Sequence, residues 1–279
     1  MELLRGLVPF YNHLLPVQFL HGHFPLPVYE IQSSVIGARA LIYFFQYIIA
    51  SAAISVQMLV HEGHTSARRF FTPANAGSYD SVVRVATLGQ DYVWKREIIK
   101  AIGRRNSVLE LACGTGIMSS MLAGRGKSVT GIDLTFDYLR ASRRKLRAAI
   151  SQGTAEVLPY RNESFDAVAS SYLAKYANIQ RTVDECWRVL RSGGIAVFHD
   201  FTFPGGIMRG LWNAHFALLR LAGRIATSWK AVFDQLDEVI KNSDWVDQTA
   251  AALCSRGFRN VDCKYYTSGT AAIVSAEKP

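Results

Sequence analysis

The run Glu110-Leu-Ala-Cys-Gly-Thr-Gly116 combines residue types that can hold a charged small molecule. An apolar stretch from Val108 leads into it and Ile117-Met118 follow, so it reads as a strand end, a glycine turn and a helix start. Backbone N–H groups of such a turn bind anionic groups at the carboxyl edge of a parallel sheet. Gly114 and Gly116 let the main chain approach a ligand closely. Glu110 adds the opposite sign. In a dinucleotide site it would repel pyrophosphate, and Ser119 stands where the third glycine would fall. A ligand with an ammonium and a sulfonium would instead be attracted by that carboxylate.

S-adenosylmethionine carries both cations, together with a carboxylate for the loop N–H groups. Val129-Thr-Gly-Ile-Asp133 reads as a second strand ending in an acid, 23 residues after Glu110. A carboxylate there can accept hydrogen bonds from both ribose hydroxyls. Capping of the next helix is the plainer reading of Asp133. Cys113, within the loop, reads as a small residue filling a tight turn.

These residues need elements to carry them. Asp91 to Lys100 reads as a helix ahead of the first strand, and Phe71 to Gly77 as a linker before it. Thr135 to Ser151 reads as a basic helix and Phe165 to Ser171 as the fourth strand. Val183 to Leu190 reads as a helix stopped by Ser192-Gly193-Gly194. Ile195 to Phe198 is the fifth strand and delivers His199 and Asp200 to the carboxyl edge. Residues 201–241 are too long for a bare connection, and their apolar-basic spacing predicts a helix pair walling a substrate. Asp244 to Arg256 is a capped helix ended by Gly257, and two strands flank Gly269.

With these blocks in view, the chain resembles the class I methyltransferases, and more narrowly the ubiquinone/menaquinone-biosynthesis C-methyltransferase family. The resemblance runs from about Phe70 to Pro279. Beside the glycine loop it rests on Tyr79-Asp80, Leu88-Gly89, Trp94-Lys-Arg96, Ala155-Glu-Val-Leu-Pro-Tyr160, Ser164-Phe-Asp-Ala167, Trp187-Arg-Val-Leu-Arg-Ser-Gly-Gly194 and Thr267-Ser-Gly269. It implies an α/β fold: a doubly wound, mostly parallel seven-stranded sheet with a final antiparallel strand. An N-terminal helical and apolar extension, residues 1–69, would precede a methyltransferase domain, residues 70–279.

The resemblance also implies roles. S-adenosyl-L-methionine would lie on Glu110, Ala112, Cys113, Gly114, Thr115, Gly116, Asp133 and Leu134. Tyr79 would cover it, Ser171 would face it, and Thr154 and Ala155 would meet adenine. The family carries Asp or Asn at the Thr154 position and an arginine where Lys175 stands; Lys175 keeps the charge but loses the planar fork. The family has an acid at the Asp200 position.

Composition narrows the partners. The chain has 279 residues, 49% of them apolar, and a net charge of +9, of which residues 1–77 supply only +1. A basic catalytic part suits an anionic membrane surface or an acidic ligand. No basic stripe interleaved with aromatics points to nucleic acid, and Ser170-Ser-Tyr-Leu173 differs from the polar-Pro-Pro-aromatic motif of base N-methylation. Four scattered cysteines predict a reducing compartment and no zinc site. His61-Glu-Gly-His64 lacks the spacing of a zinc-protease helix, so no metal is expected. Ala40 to Val60 is long enough to span a bilayer, or to lie on it or on the domain. The cytoplasmic side of a membrane, through a peripheral contact or an N-terminal anchor, is the expected location.

The expected activity is methyl transfer to a lipophilic small molecule, above all to a ring carbon of a prenylated quinol. Asp200 or His199 would take the hydroxyl proton and Lys175 would steady the phenolate. Two other readings stay open: methylation of phospholipid or another apolar acceptor, and a non-catalytic, cofactor-binding assembly subunit of a membrane complex. The oligomeric state is left open.

Overall fold

The computed structural model describes residues 62–143, 145 and 148–279. The apolar Ala40–Val60 segment, the prolines before it and His61 lie outside the described residues. Among the described residues, no helix is long and apolar enough to cross a membrane.

Seven strands form one sheet: β1 (Ser107–Leu111), β2 (Ser128–Asp133), β3 (Ala149–Gln152), β4 (Phe165–Ser171), β5 (Leu190–Phe201), β6 (Arg259–Tyr266) and β7 (Ala271–Glu277). Their order is β3-β2-β1-β4-β5-β7-β6. β7 runs antiparallel between β5 and β6, and the other adjacent pairs are parallel. The order in which strands are added reverses at β1, so the carboxyl ends of β1 and β4 open a crevice at the switch point.

Alternation along the strands builds two cores. Val108, Val129, Ala167 and Val197 face one side, against Ile98, Ile102, Met118 and Leu122. The helices there are α4 (Gln90–Ile102) and α5 (Ile117–Ala123). Leu109, Leu111, Ile132, Val168 and Phe198 face the other side, against Val183, Trp245 and Leu253. Those come from α7 (Ile179–Val189) and α10 (Trp245–Arg256). A strand buried on both faces reads as a continuous apolar run, as Val108–Leu111 does apart from Glu110.

One glycine in this core is there for space. A Cβ on Gly131 would stand 2.8 Å from Cys113 Sγ and 3.1 Å from Ile150 Cγ2. Cys113 is therefore a buried filler under the loop, its thiol pushed up by burial. Gly131→Ala is expected to lower stability by about 1–3 kcal/mol through overpacking, and Cys113→Ala in the same chain to recover part of it. Equal melting midpoints for wild type and Gly131→Ala would refute this.

Three expected boundaries need correction. The basic helix α6 (Phe136–Arg143) stops well before Ser151, and Ala149–Gln152 becomes the edge strand β3, with Thr130 opposite Ala149. Pairing with β2 overrides the local pattern there. α7 begins at Ile179 rather than Val183, because Asn178 Oδ1 accepts the Arg181 N–H at 3.1 Å. The Ser192-Gly193-Gly194 stop lies inside β5, next to a register shift between Phe165 and Ala167.

The expected linker is also pinned. Helix α1 (Glu62–Phe70) leads into it, and Pro73–Ala76 forms the short α2. Asn75 is 1% exposed. Its Nδ2 donates to the Phe70 and Ser228 carbonyls at 2.7 and 3.1 Å, and its Oδ1 accepts the Tyr138 hydroxyl at 2.8 Å. A polar side chain with all these partners can be buried without penalty, and it locks three separate segments. The helix α3 (Tyr79–Ala86) follows. The 201–241 region forms the expected helix pair, α8 (Gly206–Gly223) and α9 (Lys230–Lys241).

Candidate active site

The turn after β1 adopts the conformation its glycines allow. Gly114 and Gly116 have φ of 53° and 80°, in the left-handed region. Gly116 starts α5. Asp133, at the end of β2, braces the turn: Oδ2 accepts the Gly114 N–H at 2.8 Å and Oδ1 the Thr135 N–H at 2.8 Å. Burial raises the Asp133 carboxyl, and these hydrogen bonds pull it back. Thr115 Oγ1 donates to Asp80 Oδ1 at 2.5 Å, and Lys145 pairs with the same carboxylate, so the start of α3 is fastened over the loop.

A cleft opens above Asp133. Its lining includes Ala112, Gly114, Asp133, Leu134, Thr154, Ala155, Ser171 and Tyr79, eight of the expected cofactor residues. Thr135, Tyr138, Phe71 and Glu156 join them. Glu156 Oε1 accepts the Asn178 N–H at 3.0 Å and meets His64 Nε2 at 2.8 Å, which brings α1 to the cleft. Burial raises the Glu156 carboxyl, but His64 and Asn178 outweigh it and hold it below its ordinary value.

Glu110, Cys113, Thr115 and Gly116 support the loop from beneath or behind and do not line this cleft. Glu110 is 3% exposed and accepts a hydrogen bond from Ser119 Oγ. Burial pushes its carboxyl up to about 8, against the pull of Ser119 and Lys95. Between its ordinary 4.5 and about 8, the folded chain holds a proton the unfolded chain has released. The group therefore subtracts stability as pH rises through that window. Glu110→Gln is expected to gain in melting midpoint over wild type as pH increases from about 5 to about 8. A wild-type-to-variant difference independent of pH would contradict it.

A second cavity, of about 350 Å³, lies beside the cleft. It is bounded by α3, α8, α9 and the ends of β4 and β5, with Trp94, Phe201, Trp212, Phe216, Trp229 and Phe233 among its lining. Phe71, Tyr79, Tyr172 and Tyr176 line both spaces, so the two meet across an aromatic wall. Tyr79 sits edge-on to Tyr138, with ring centres 5.2 Å apart, and leans on Trp229 at 6.0 Å.

Lys175 lines this second cavity. Its side chain is 2% exposed and Nζ donates to Asp200 Oδ1 at 2.5 Å. Nζ also lies 4.5 Å from the Tyr176 ring centre. Burial pushes the Lys175 ammonium down, and Asp200 holds part of that back. Asp200 is wholly buried, with the Phe201 N–H on Oδ1 at 2.8 Å and the Lys175 N–H on Oδ2 at 3.3 Å. His199 is buried too: Nδ1 meets Ser171 Oγ at 2.9 Å, and burial drives its pKa well below the ordinary 6.5. Neither His199 nor Asp200 lines either space, so of the three expected catalytic residues only Lys175 faces one.

Tyr172 was missed in the sequence. It stands at the end of β4 with a φ of 68°, stacks on Phe201 at 4.7 Å and donates its hydroxyl to Asp91 Oδ1 at 2.8 Å. Asp91 pairs with Lys95, also buried, beneath it. Its place directly after a sheet strand was the available signal.

Comparison with known proteins agrees with this geometry. The methyltransferase domain family matches residues 109–198. A demethylmenaquinone methyltransferase of Beutenbergia cavernae is 34% identical over 219 residues, covering 73% of this chain and 90% of that one. One from Tropheryma whipplei is 30% identical over 228 residues, covering 79% and 95%. This chain belongs to the menaquinone- and ubiquinone-biosynthesis C-methyltransferase family. Among solved structures, an S-adenosylmethionine-dependent methyltransferase of Thermotoga maritima superposes with a TM-score of 0.53 at 15% identity, covering 73% of this chain and 95% of that one. That likeness carries the fold alone.

The protein is therefore an S-adenosylmethionine-dependent methyltransferase. The cleft of this methyltransferase suits its cofactor. A left-handed glycine turn lets the main chain reach the cleft without a side chain at Gly114, an acid lies at the end of β2, and aromatic faces suit a sulfonium.

Proposed function

We propose that this methyltransferase methylates a ring carbon of a prenylated quinol of the menaquinone or ubiquinone type. One observation carries the reading: an apolar, aromatic-walled cavity abuts the cofactor cleft, and Lys175, backed by Asp200, stands in its wall. Among the described lining residues Lys175 is the one lysine, arginine or carboxylate. Such a space takes a hydrocarbon tail and a flat ring, and offers one cation to a ring oxygen. Relatives named demethylmenaquinone methyltransferases support the same acceptor.

When bound, S-adenosylmethionine supplies an electrophilic methyl whose leaving group is a neutral thioether. The main chain at Ala112 and Gly114 borders the methionine end of the cofactor, with Glu110 behind the turn. Asp133 takes the ribose hydroxyls, and Leu134, Thr154 and Ala155 border adenine. Tyr79 and Ser171 close the side toward the acceptor. Residues 70–279 form the catalytic domain, and the 201–241 helices wall the tail.

A quinol carbon becomes nucleophilic as its neighbouring hydroxyl loses its proton to water at the cavity mouth. Lys175 donates a hydrogen bond to that oxygen and stabilises the phenolate, while Asp200 keeps the ammonium in place. His199, neutral and buried, holds Ser171 rather than moving the proton. The C–C bond to the ring carbon would form as the methyl–sulfur bond breaks to leave the neutral thioether, and the ring-carbon proton would pass to water as aromaticity returns. Alignment across the aromatic wall supplies much of the rate.

The test is purified enzyme with methyl-labelled S-adenosylmethionine and detergent-dispersed demethylmenaquinone. Label on the quinone ring carbon is expected. Label in phosphatidylethanolamine instead would favour the phospholipid reading. Cofactor binding with no methylated product from either acceptor would favour a non-catalytic subunit.

A further inference from the structure

Helix α8 is apolar on two sides. Trp212 and Phe216 face inward and are buried. Ile207, Leu211, Leu218 and Leu221 fall at i, i+4, i+11 and i+14, a single stripe of a 3.6-residue helix. That stripe faces solvent: Ile207 is 91% exposed and Leu218 66%. Ile225, just past the helix, is 89% exposed. Isolated exposed leucines need no explanation, but a continuous apolar stripe on one helix does.

The stripe runs to the mouth of the acceptor cavity. Leu211 lines the cavity and is still 61% exposed, and Leu88, across the opening, is 79% exposed. His215 Nε2 meets the Ala86 carbonyl oxygen at 2.8 Å, which ties α8 to the end of α3 at this rim. The charge nearby has one sign. From Phe201 to Phe233 there are Arg209, Arg220, Arg224 and Lys230 and no acidic residue. Arg220 and Lys230 pair with Asp237 and Asp234. Arg209 and Arg224 are exposed and, among the described residues, pair with no acid.

We infer that this stripe, with Arg224 beside its C-terminal end, is the face by which the enzyme lies on an anionic lipid bilayer, so that the acceptor cavity opens into the acyl region. The inference rests on the lipophilic-acceptor reading of the cavity. An exposed apolar helix face in a segment whose only charged residues are basic is the pattern of an interfacial helix. α8 lies on the surface and does not cross it, since no described helix is long and apolar enough to span.

The experiment uses the full chain and two vesicle preparations, phosphatidylcholine alone and phosphatidylcholine mixed with phosphatidylglycerol. Wild type is expected to sediment with the mixed vesicles and much less with the neutral ones. A variant carrying Ile207→Gln, Leu218→Gln, Leu221→Gln and Ile225→Gln should partition about a hundredfold more weakly. None of these four side chains lines the cavity. Cofactor-binding heat and melting midpoint should stay at wild-type values, which shows that the variant is folded whatever the acceptor proves to be. Should detergent-dispersed quinol be an acceptor, its turnover is retained while quinol embedded in mixed vesicles is methylated slowly.

Unchanged vesicle binding by the variant would overturn the inference, because another part of the chain would then hold the membrane. Wild type that ignores mixed vesicles would overturn it as well. So would a wild-type dimer that the four substitutions convert to monomer, since the stripe would then cover a second copy. Failure of the quinol assay with vesicle binding intact would instead count against the acceptor and leave the docking face standing.

Discussion

Lys175→Met is expected to lower kcat about 10²–10³-fold, the usual loss when one donor to a developing oxyanion is removed. The KM for S-adenosylmethionine should hardly change, because Lys175 lines the acceptor cavity and not the cofactor cleft. The substitution also leaves Asp200, wholly buried, without its cation. Breaking a buried pair from one side costs about 3–5 kcal/mol, so the melting midpoint should fall too. Lys175→Met with Asp200→Leu removes both charges. It should recover much of the stability and none of the activity, which separates a folding defect from a lost phenolate partner. Lys175→Arg should restore part of kcat. In wild type the ammonium is needed, and burial pushes it below the ordinary 10.5. Activity should therefore rise with pH as the quinol ionises, then fall at a pH below that of an ordinary lysine. A Lys175→Met enzyme with near-normal kcat would remove this residue from the reaction.

Asp133→Ala is expected to weaken cofactor binding about 10²–10⁴-fold, the loss of two charge-assisted hydrogen bonds at about 1.5–3 kcal/mol each. Titration calorimetry with S-adenosylmethionine reads this directly. The same carboxylate braces the Gly114 and Thr135 N–H groups, so some loss of stability accompanies it. Asp133→Asn keeps an acceptor oxygen and should bind between the two. Unaltered cofactor heat in Asp133→Ala would leave this residue a brace and helix cap only. Survival of methyl transfer in cells after binding is abolished would argue for a non-catalytic role.

Much of the site was legible because it lies where strands end. The glycine turn, Asp133 and the Thr154-Ala155 pair are local features, and local sequence governs a strand-turn-helix unit. The placement of the three residues expected to be catalytic was less legible. A strand that delivers His199-Asp200 to the sheet edge does not tell which way each side chain faces or what roofs it. Tyr172 and Trp94 cover His199, and Lys175 covers Asp200. Those neighbours come from α4, the end of β4 and the loop after it, far apart in the chain.

Boundaries failed where pairing decided them. Ala149–Gln152 carries helix-compatible residues and becomes an edge strand because β2 offers it a ladder. The Phe71–Gly77 linker became fixed structure because Asn75 found four partners, from its own stretch and from two distant segments. No spacing rule records such partners.

By itself the sequence determined the central strand-turn-helix unit, the cofactor class and the family, because each follows from short runs with their own conformational and chemical preferences. The tertiary structure decided which acid faces which space, that one aromatic wall serves both spaces, and that α8 shows an apolar stripe outward. Those depend on what packs against each side chain, and the packing partners lie on other strands and helices.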